Sequence, residues 1–177
     1  MSRSVCLFAA CLFLIGLQAP EGRAAQGGSG KAVANLAPTQ GNSVKGTVSF
    51  NESKGKTHIV ANVTGLKPGK HGFHIHDKGD CSAPDGSSAG GHFNPVTHKH
   101  GAPDASEHHA GDLGNIEADS KVRARLNRTV DFLTVSDGPN SVVGRSVIVH
   151  GQEDDFQTQP TGNAGARLAC GVIEKKK

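Results

Sequence analysis

The sequence predicts an all-β fold, an eight-stranded antiparallel sandwich or barrel carrying two long functional loops. Three observations lead there. Short stretches with apolar residues at alternate positions recur from Lys31 onward, and two residues is the period of a strand. Gly-rich or Lys/Gly turn signals separate them, as in a meander of antiparallel strands. No segment places its apolar residues at helical spacing. A chain of 177 residues is the size of one domain, and it contains no internal repeat.

The chain begins with a short positive start, Met1-Ser-Arg-Ser, followed by an unbroken apolar run of thirteen residues from Val5 to Leu17. A bilayer needs about 20 apolar residues, so the run fits a signal peptide rather than a membrane span. Gly22-Arg23-Ala24 offers small residues at both positions that a signal peptidase reads. Cleavage is expected after Ala24, with Ala19 as an alternative. Phe8-Ala9-Ala10-Cys11 resembles a lipoprotein box, but the apolar run continues past Cys11, which argues against lipidation. Residues 1–24 are therefore expected to be a signal peptide and 25–177 the mature domain, with 25–30 a flexible lead-in. The protein is expected to be exported, to a periplasm or to the extracellular space.

The strand candidates follow in order. Ala32 to Leu36 is the first, Val44 to Phe50 alternates well, and Thr57 to Val63 is the third. Lys67-Pro68-Gly69 turns into Gly72-Phe73-His74-Ile75-His76. Leu113 to Ala118 and Val122 to Leu126 read as a pair joined by Asp119-Ser120. Ser146 to His150 is an apolar run ending in histidine, and Arg167 to Ile173 is the last strand. The long connections are His76 to Leu113 and Gly151 to Arg167, and loops on a rigid frame are where function concentrates.

Eight of the ten histidines fall between His71 and Asp112. Packing does not explain eight imidazoles on a Gly- and Pro-rich loop, because histidine is a poor core residue. Metal binding does, because neutral imidazole is the commonest protein ligand for zinc and copper. In the strand, Phe73 and Ile75 share one face and enter a core. His74 and His76 share the other and reach one ion together. His92, His100, His109 and Asp112 lie on the adjoining loop. Three imidazoles and one carboxylate are a closed tetrahedral set, as in structural zinc sites. His98 and His108 lie in the same loop, and the sequence leaves them open as ligands or as solvated side chains.

GFHIH, GGHFNP, HKHGAP, HAGDLGN, GRSVIVH and GNAGARLACGVI occur in that order. Together they resemble the copper/zinc superoxide dismutases, over roughly Lys31 to Ile173, in an exported, bacterial-like form. The resemblance implies a Greek-key, immunoglobulin-like barrel holding one copper and one zinc per chain. It implies copper on His74, His76, His92 and His150, and zinc on His92, His100, His109 and Asp112, with His92 bridging the two. It implies that Arg167 guides the substrate anion, that Asp154 links one copper and one zinc histidine, and that His71 braces the ligand strand. It pairs Cys81 with Cys170.

The activity implied is dismutation of superoxide to dioxygen and hydrogen peroxide, by Cu(II)/Cu(I) cycling with His92 opening from the copper and carrying a proton. The other readings are an exported copper/zinc-binding protein or a copper-delivery protein, each without turnover. The full histidine set argues against the delivery protein, and Arg167 against passive storage.

Removing residues 1–24 would remove Cys6 and Cys11, leaving an even pair of cysteines in an exported chain, where a disulfide persists. Residues 1–24 carry Arg3, Arg23 and Glu21, a net +1, so the whole-chain charge of +3 becomes +2. With no Trp or Tyr and no basic stripe, nucleic acid is not an expected partner. Neither is stable membrane insertion, and a homodimer is left open. Cys81 lies five residues after His76, Pro160 stands where animal enzymes of the family carry a steering lysine, and Lys78 replaces an apolar residue of their dimer interface. Asn51, Asn62 and Asn127 sit in glycosylation sequons, which have meaning only in a eukaryotic secretory route.

Overall fold

The computed structural model describes residues 28–177. The expected leader, its cleavage point, Cys6 and Cys11 lie outside the described residues. Every strand candidate forms a strand: β1 (Gly30–Pro38), β2 (Lys45–Ser53), β3 (Lys56–Thr64), β4 (Gly69–His76), β5 (Asp112–Ala118), β6 (Arg123–Val130), β7 (Ser146–His150) and β8 (Arg167–Lys175). Most run longer than the apolar pattern, because backbone pairing continues where side chains turn polar. In β6, Asn127, Arg128 and Thr129 still pair with β3. Gly30, expected in the flexible lead-in, belongs to β1 and pairs with Glu52. Among the described residues the helical structure is one 3-10 turn, Ser87–Ala89.

The strand order β1-β2-β3-β6-β5-β4-β7-β8 closes into a barrel. One seam is thin, since β5 and β6 share a single pair, Ala118 with Ala124. The molecule is therefore a closed barrel whose weakest seam lies between β5 and β6. Alternate residues of β2 and β3, among them Val48, Phe50, Ile59, Ala61 and Val63, point into the shared core. In β4 the last six residues are all buried, and so is every residue of β7. Burial on both faces means that the outer face of β4 and β7 is covered, and the two long loops cover it. Phe73 and Ile75 enter the core as the alternation predicts.

The loop between β6 and β7, which carries no strand signal, plugs one end of the barrel with Leu133, Val135 and Val142. The buried carboxylate of Glu52 holds it, accepting from the Val135 and Ser136 amides at 2.8 and 2.6 Å and from the Ser136 hydroxyl at 2.8 Å. Three donors to one carboxylate offset its burial and keep it ionised.

Cys81 and Cys170 form a disulfide across 89 residues, with Cα atoms 5.7 Å apart. With Ala89 and Ile148 they make a small apolar cluster outside the main core, so the bond pins the first long loop onto β8. In the chain-entropy model a loop of this length contributes about 4–5 kcal/mol. Reduction should therefore lower the thermal midpoint by roughly 10–15 °C and loosen residues 77–91 first. Melting curves with and without reductant measure this, and coincident curves would count against it.

Candidate metal centre

Two groups of side chains come together under the loops. One is His74, His76, His92 and His150; the other is His92, His100, His109 and Asp112. In each, four ligand atoms lie within 4.8 Å of one another and every residue is buried. His74 and His76 arrive by the alternation of β4, and His150 ends the neighbouring β7. His92 is brought in by backbone pairing of its loop against the end of β4: His76 and His92 form an isolated bridge, and the Phe93 amide donates to the Ile75 carbonyl at 2.9 Å. Gly111 is required beside this bridge, because a Cβ there would overlap the Ile75 carbonyl.

Hydrogen bonds on the far side of each ring set which nitrogen faces inward. His74 Nε2 donates to Asp154 Oδ2 at 2.7 Å, and His100 Nε2 to Asp154 Oδ1 at 2.9 Å. His76 Nδ1 donates to the Gly90 carbonyl at 2.9 Å, and His150 Nδ1 to the Gly165 carbonyl at 3.2 Å. A neutral imidazole carries one proton, so on a neutral ring held this way, as burial keeps His76 and His150, the inward nitrogen is a bare lone pair. Nε2 of His76 and Nε2 of His150 then face each other at 3.4 Å with no proton between them. His74 Nδ1 and His92 Nε2 are buried without any hydrogen-bond partner, and His100 Nδ1 has only the Asp112 carboxylate beside it, 3.0 Å away. Orphaned buried acceptors are costly. A cation at the centre of each group satisfies all of them, so the residues present fit a metal at both places.

In the second group, Nδ1 of His92, His100 and His109 lie 2.8, 3.0 and 3.3 Å from Asp112 Oδ1. Asp112 Oδ2 is steered by the amides of His109 and Gly101, at 2.8 and 3.1 Å. His92 presents Nδ1 to this group and leaves Nε2 for the other. The Asp154 carboxylate spans the two groups through His74 and His100. His71 sets Nδ1 against the His150 carbonyl and Nε2 against the Lys67 carbonyl, both at 2.9 Å, which ties the end of β7 to the start of β4. His98 is exposed. His108 is half-buried edge-on against Phe132, with ring centroids 4.6 Å apart. Neither belongs to either group.

Arg167 is half-buried and gripped by the first loop, with Nη1 donating to the Gly86 carbonyl and Nη2 to the Gly90 carbonyl, each at 2.6 Å. These carbonyls flank the 3-10 turn, which the Cys81–Cys170 disulfide holds down. Burial draws the guanidinium pKa down, and the nearby Asp85 carboxylate opposes that.

Several working residues carried no recognisable signal by themselves. The Asn115 amide clamps the backbone of Asp154, accepting from its N–H at 2.8 Å and donating to its carbonyl at 3.0 Å. Gln159 clamps the His100 backbone in the same way, at 2.8 and 2.9 Å. Gly162 lies so close to Asp154 and His100 that a Cβ would collide with both side chains. Asn115 and Gly162 lie within the motifs HAGDLGN and GNAG, but only the folded chain shows what they touch.

Charges in the metal-free site oppose one another. Burial lowers His92 to about 4, against the Asp112 hydrogen bond, and lowers His150 to about 3. Burial, reinforced by His92 and His150, also puts His76 well below its ordinary value. Burial pulls His100 down too, but Asp112 and Asp154 overcome it and raise His100 to about 9. Burial pushes Asp112 up, yet hydrogen bonds from the histidines around it hold it well below the carboxylate range, and Asp154 behaves alike.

Below about pH 6.5 the unfolded chain binds protons that His76, His92 and His150 refuse in the fold, so stability falls with falling pH. The His100 contribution is fully present below about pH 6.5 and is lost as pH rises to about 9. The two carboxylates contribute above about pH 4 and lose that only in strong acid. Thermal melts of metal-free protein from pH 4 to 9 should therefore peak near pH 6.5. A flat midpoint over that range would show these groups titrate normally.

A family model described as copper/zinc superoxide dismutase matches residues 44–173. Among curated proteins, the chain is 42% identical over 147 residues to superoxide dismutase [Cu-Zn] 5 of Dictyostelium discoideum, covering 78% of this chain and 95% of that one. It is 47% identical over 152 residues to superoxide dismutase [Cu-Zn] 2 of Brassica juncea, covering 81% and 97%. Among solved structures, one titled as the clock protein EA4 superposes with a TM-score of 0.75 at 38% identity, covering 82% of this chain and 94% of that one.

Proposed function

The chain belongs to the copper/zinc superoxide dismutases, and from that premise we propose which residues hold each metal, which ones work on the substrate, and where the protein acts. The reaction is dismutation of two superoxide anions and two protons to dioxygen and hydrogen peroxide. His74, His76, His92 and His150 hold copper, and His92, His100, His109 and Asp112 hold zinc. The observation that carries this is the convergence of two buried four-residue groups, with His74 Nδ1 and His92 Nε2 left unpartnered at their centre. The carboxylate lies in the second group, and an anionic oxygen ligand suits zinc. Copper supplies the one-electron chemistry and zinc, which has no redox chemistry, a fixed positive charge.

The remaining work falls to the protein. Arg167 Nη atoms attract and orient the anion beside the first group. His92, with Nδ1 held in the second group, takes a proton at Nε2 and releases it to the departing peroxide; the second proton comes from solvent. Asp154 keeps His74 and His100 in the tautomers that aim Nδ1 inward, a control that ligand-supporting carboxylates commonly exert.

We place the mature protein outside the cytoplasm, in a periplasm or the extracellular space, with residues 1–24 as the leader. The apolar run from Val5 to Leu17 and the Cys81–Cys170 disulfide support this, since disulfides persist in oxidising compartments. Among the described residues the exposed large hydrophobics are Val96 and Val122. They sit on separate loops. One sample of mature protein tests the set: metal analysis should give one copper and one zinc per chain with dismutase turnover. Its N-terminus should be Ala25, and gel filtration of the same sample gives the oligomeric state. Absence of copper or of turnover would overturn the assignment of the first group.

A further inference from the structure

We propose that Arg145 is a positioning residue for the His92 bridge. The proposal rests on the metal assignment above and concerns a side chain outside both metal groups. Arg145 immediately precedes β7, and its guanidinium reaches the residues that directly follow two site histidines. Nη1 donates to the carboxylate Oδ1 of Asp77, after His76, at 2.6 Å and to the Asp77 carbonyl at 2.9 Å. The guanidinium carbon lies 3.5 Å from the ring centroid of Phe93, after His92. Nε donates to the Ser141 carbonyl at 2.9 Å, which fixes the fork from behind.

These contacts bear on ring orientation because His76 and His92 are joined backbone to backbone. They form an isolated bridge, with the Asp77 amide donating to the Gly91 carbonyl at 2.9 Å. Ser146, next to Arg145, pairs with His76 across β4 and β7 and donates from its hydroxyl to the Lys78 carbonyl at 2.7 Å. One planar cation therefore clamps the residues after both histidines against the start of the strand that ends in His150. Phe93 is buried at 1% exposure, directly follows His92, and is held on its ring face by the guanidinium. Stacking on a ring face and donating in a fixed plane are properties of Arg that Lys lacks.

The test compares Arg145→Met, Arg145→Lys and Asp77→Asn with wild type, each loaded with copper and zinc. The readouts are metal content, thermal midpoint, rate per bound copper, and the visible and paramagnetic resonance spectra of the copper, which report ligand geometry. Arg145→Met should lose about 3- to 10-fold in rate per copper, less than the roughly 100-fold cost of a full 1 Å misplacement, and its spectra should shift. Arg145→Lys keeps a charge for Asp77 but no planar face for Phe93, so it should fall between the two. Asp77→Asn keeps the stacking and should show the smaller spectral change. If Arg145→Met does not fold, the lysine variant carries the same comparison. Variants with a lower thermal midpoint but wild-type spectra and rate per copper would make Arg145 a mere brace and overturn the proposal alone. Wild-type protein that takes up no copper would overturn the metal assignment, and this proposal with it.

Discussion

Replacing His150 with alanine abolishes turnover while the fold and the zinc group survive. His150 belongs to the first group alone, and its side chain is an uncharged base in the fold, with burial lowering its pKa to about 3. Its carbonyl, which His71 holds at 2.9 Å, is backbone and stays. The second group keeps all four of its ligands. Removing a group that merely supports a ligand costs roughly 10- to 100-fold in metal affinity, so removing a ligand should cost more. Copper content and dismutase rate should fall together, with zinc near one per chain and circular dichroism unchanged. Full activity in this variant would show that His150 is not a copper ligand.

Arg167→Ala keeps both metals and lowers the second-order rate about tenfold or more. A positive charge beside a buried redox centre focuses the field on an approaching anion. Such steering is worth about 10- to 1000-fold, a general range for which superoxide dismutase is itself a worked case. The family resemblance implies a second steering cation at the position of Pro160, so Arg167 is expected to carry a larger share here.

The alanine variant also removes both anchors of the 3-10 turn, the bonds to Gly86 and Gly90. Salt separates the two effects. A lost charge flattens the dependence of rate on ionic strength, whereas a loosened turn leaves that slope unchanged. Arg167→Lys keeps the charge but not the fork, so it should lose less rate and keep the slope. Wild-type rate and slope in both variants would mean that Arg167 is not the guiding residue.

The strands and the metal-facing side chains were legible for the same reason: each is written in a short period. Alternation in Gly72 to His76 puts Phe73 in the core and His74 into the site without any tertiary information. Histidines crowded on a loop have few uses other than metal. Closure was less legible, because the sequence allowed a sandwich or a barrel. The β1–β8 pairing and the single Ala118–Ala124 link decide it, and both join residues far apart in sequence or weakly patterned.

Supporting residues were the least legible. Asn115 and Gln159 act through backbone groups of residues 39 and 59 positions away. Arg145 acts through Asp77, 68 positions away. An amide or a guanidinium carries no mark in the sequence of the partner it will meet. The loop from Asp131 to Arg145 was unread for a related reason, since its plug is held by one carboxylate on β2 rather than by any repeating pattern.

The two metal groups differ in how much chain must be gathered to make them. Ligands of the second group all lie between His92 and Asp112, a separation of 20 residues, whereas the first group runs from His74 to His150, a separation of 76. Loop-closure entropy grows with the logarithm of length, so gathering the first group costs about 1 kcal/mol more from that source alone. It also waits on β7, which enters the barrel only once the whole preceding chain is available. Asp154 and Arg167 come later still along the chain. During synthesis the four residues proposed for zinc emerge together, while the group proposed for copper is complete only with His150. On the proposed assignment all four zinc ligands precede the last copper ligand along the chain, although Asp154 and Gln159, which hold His100, follow both.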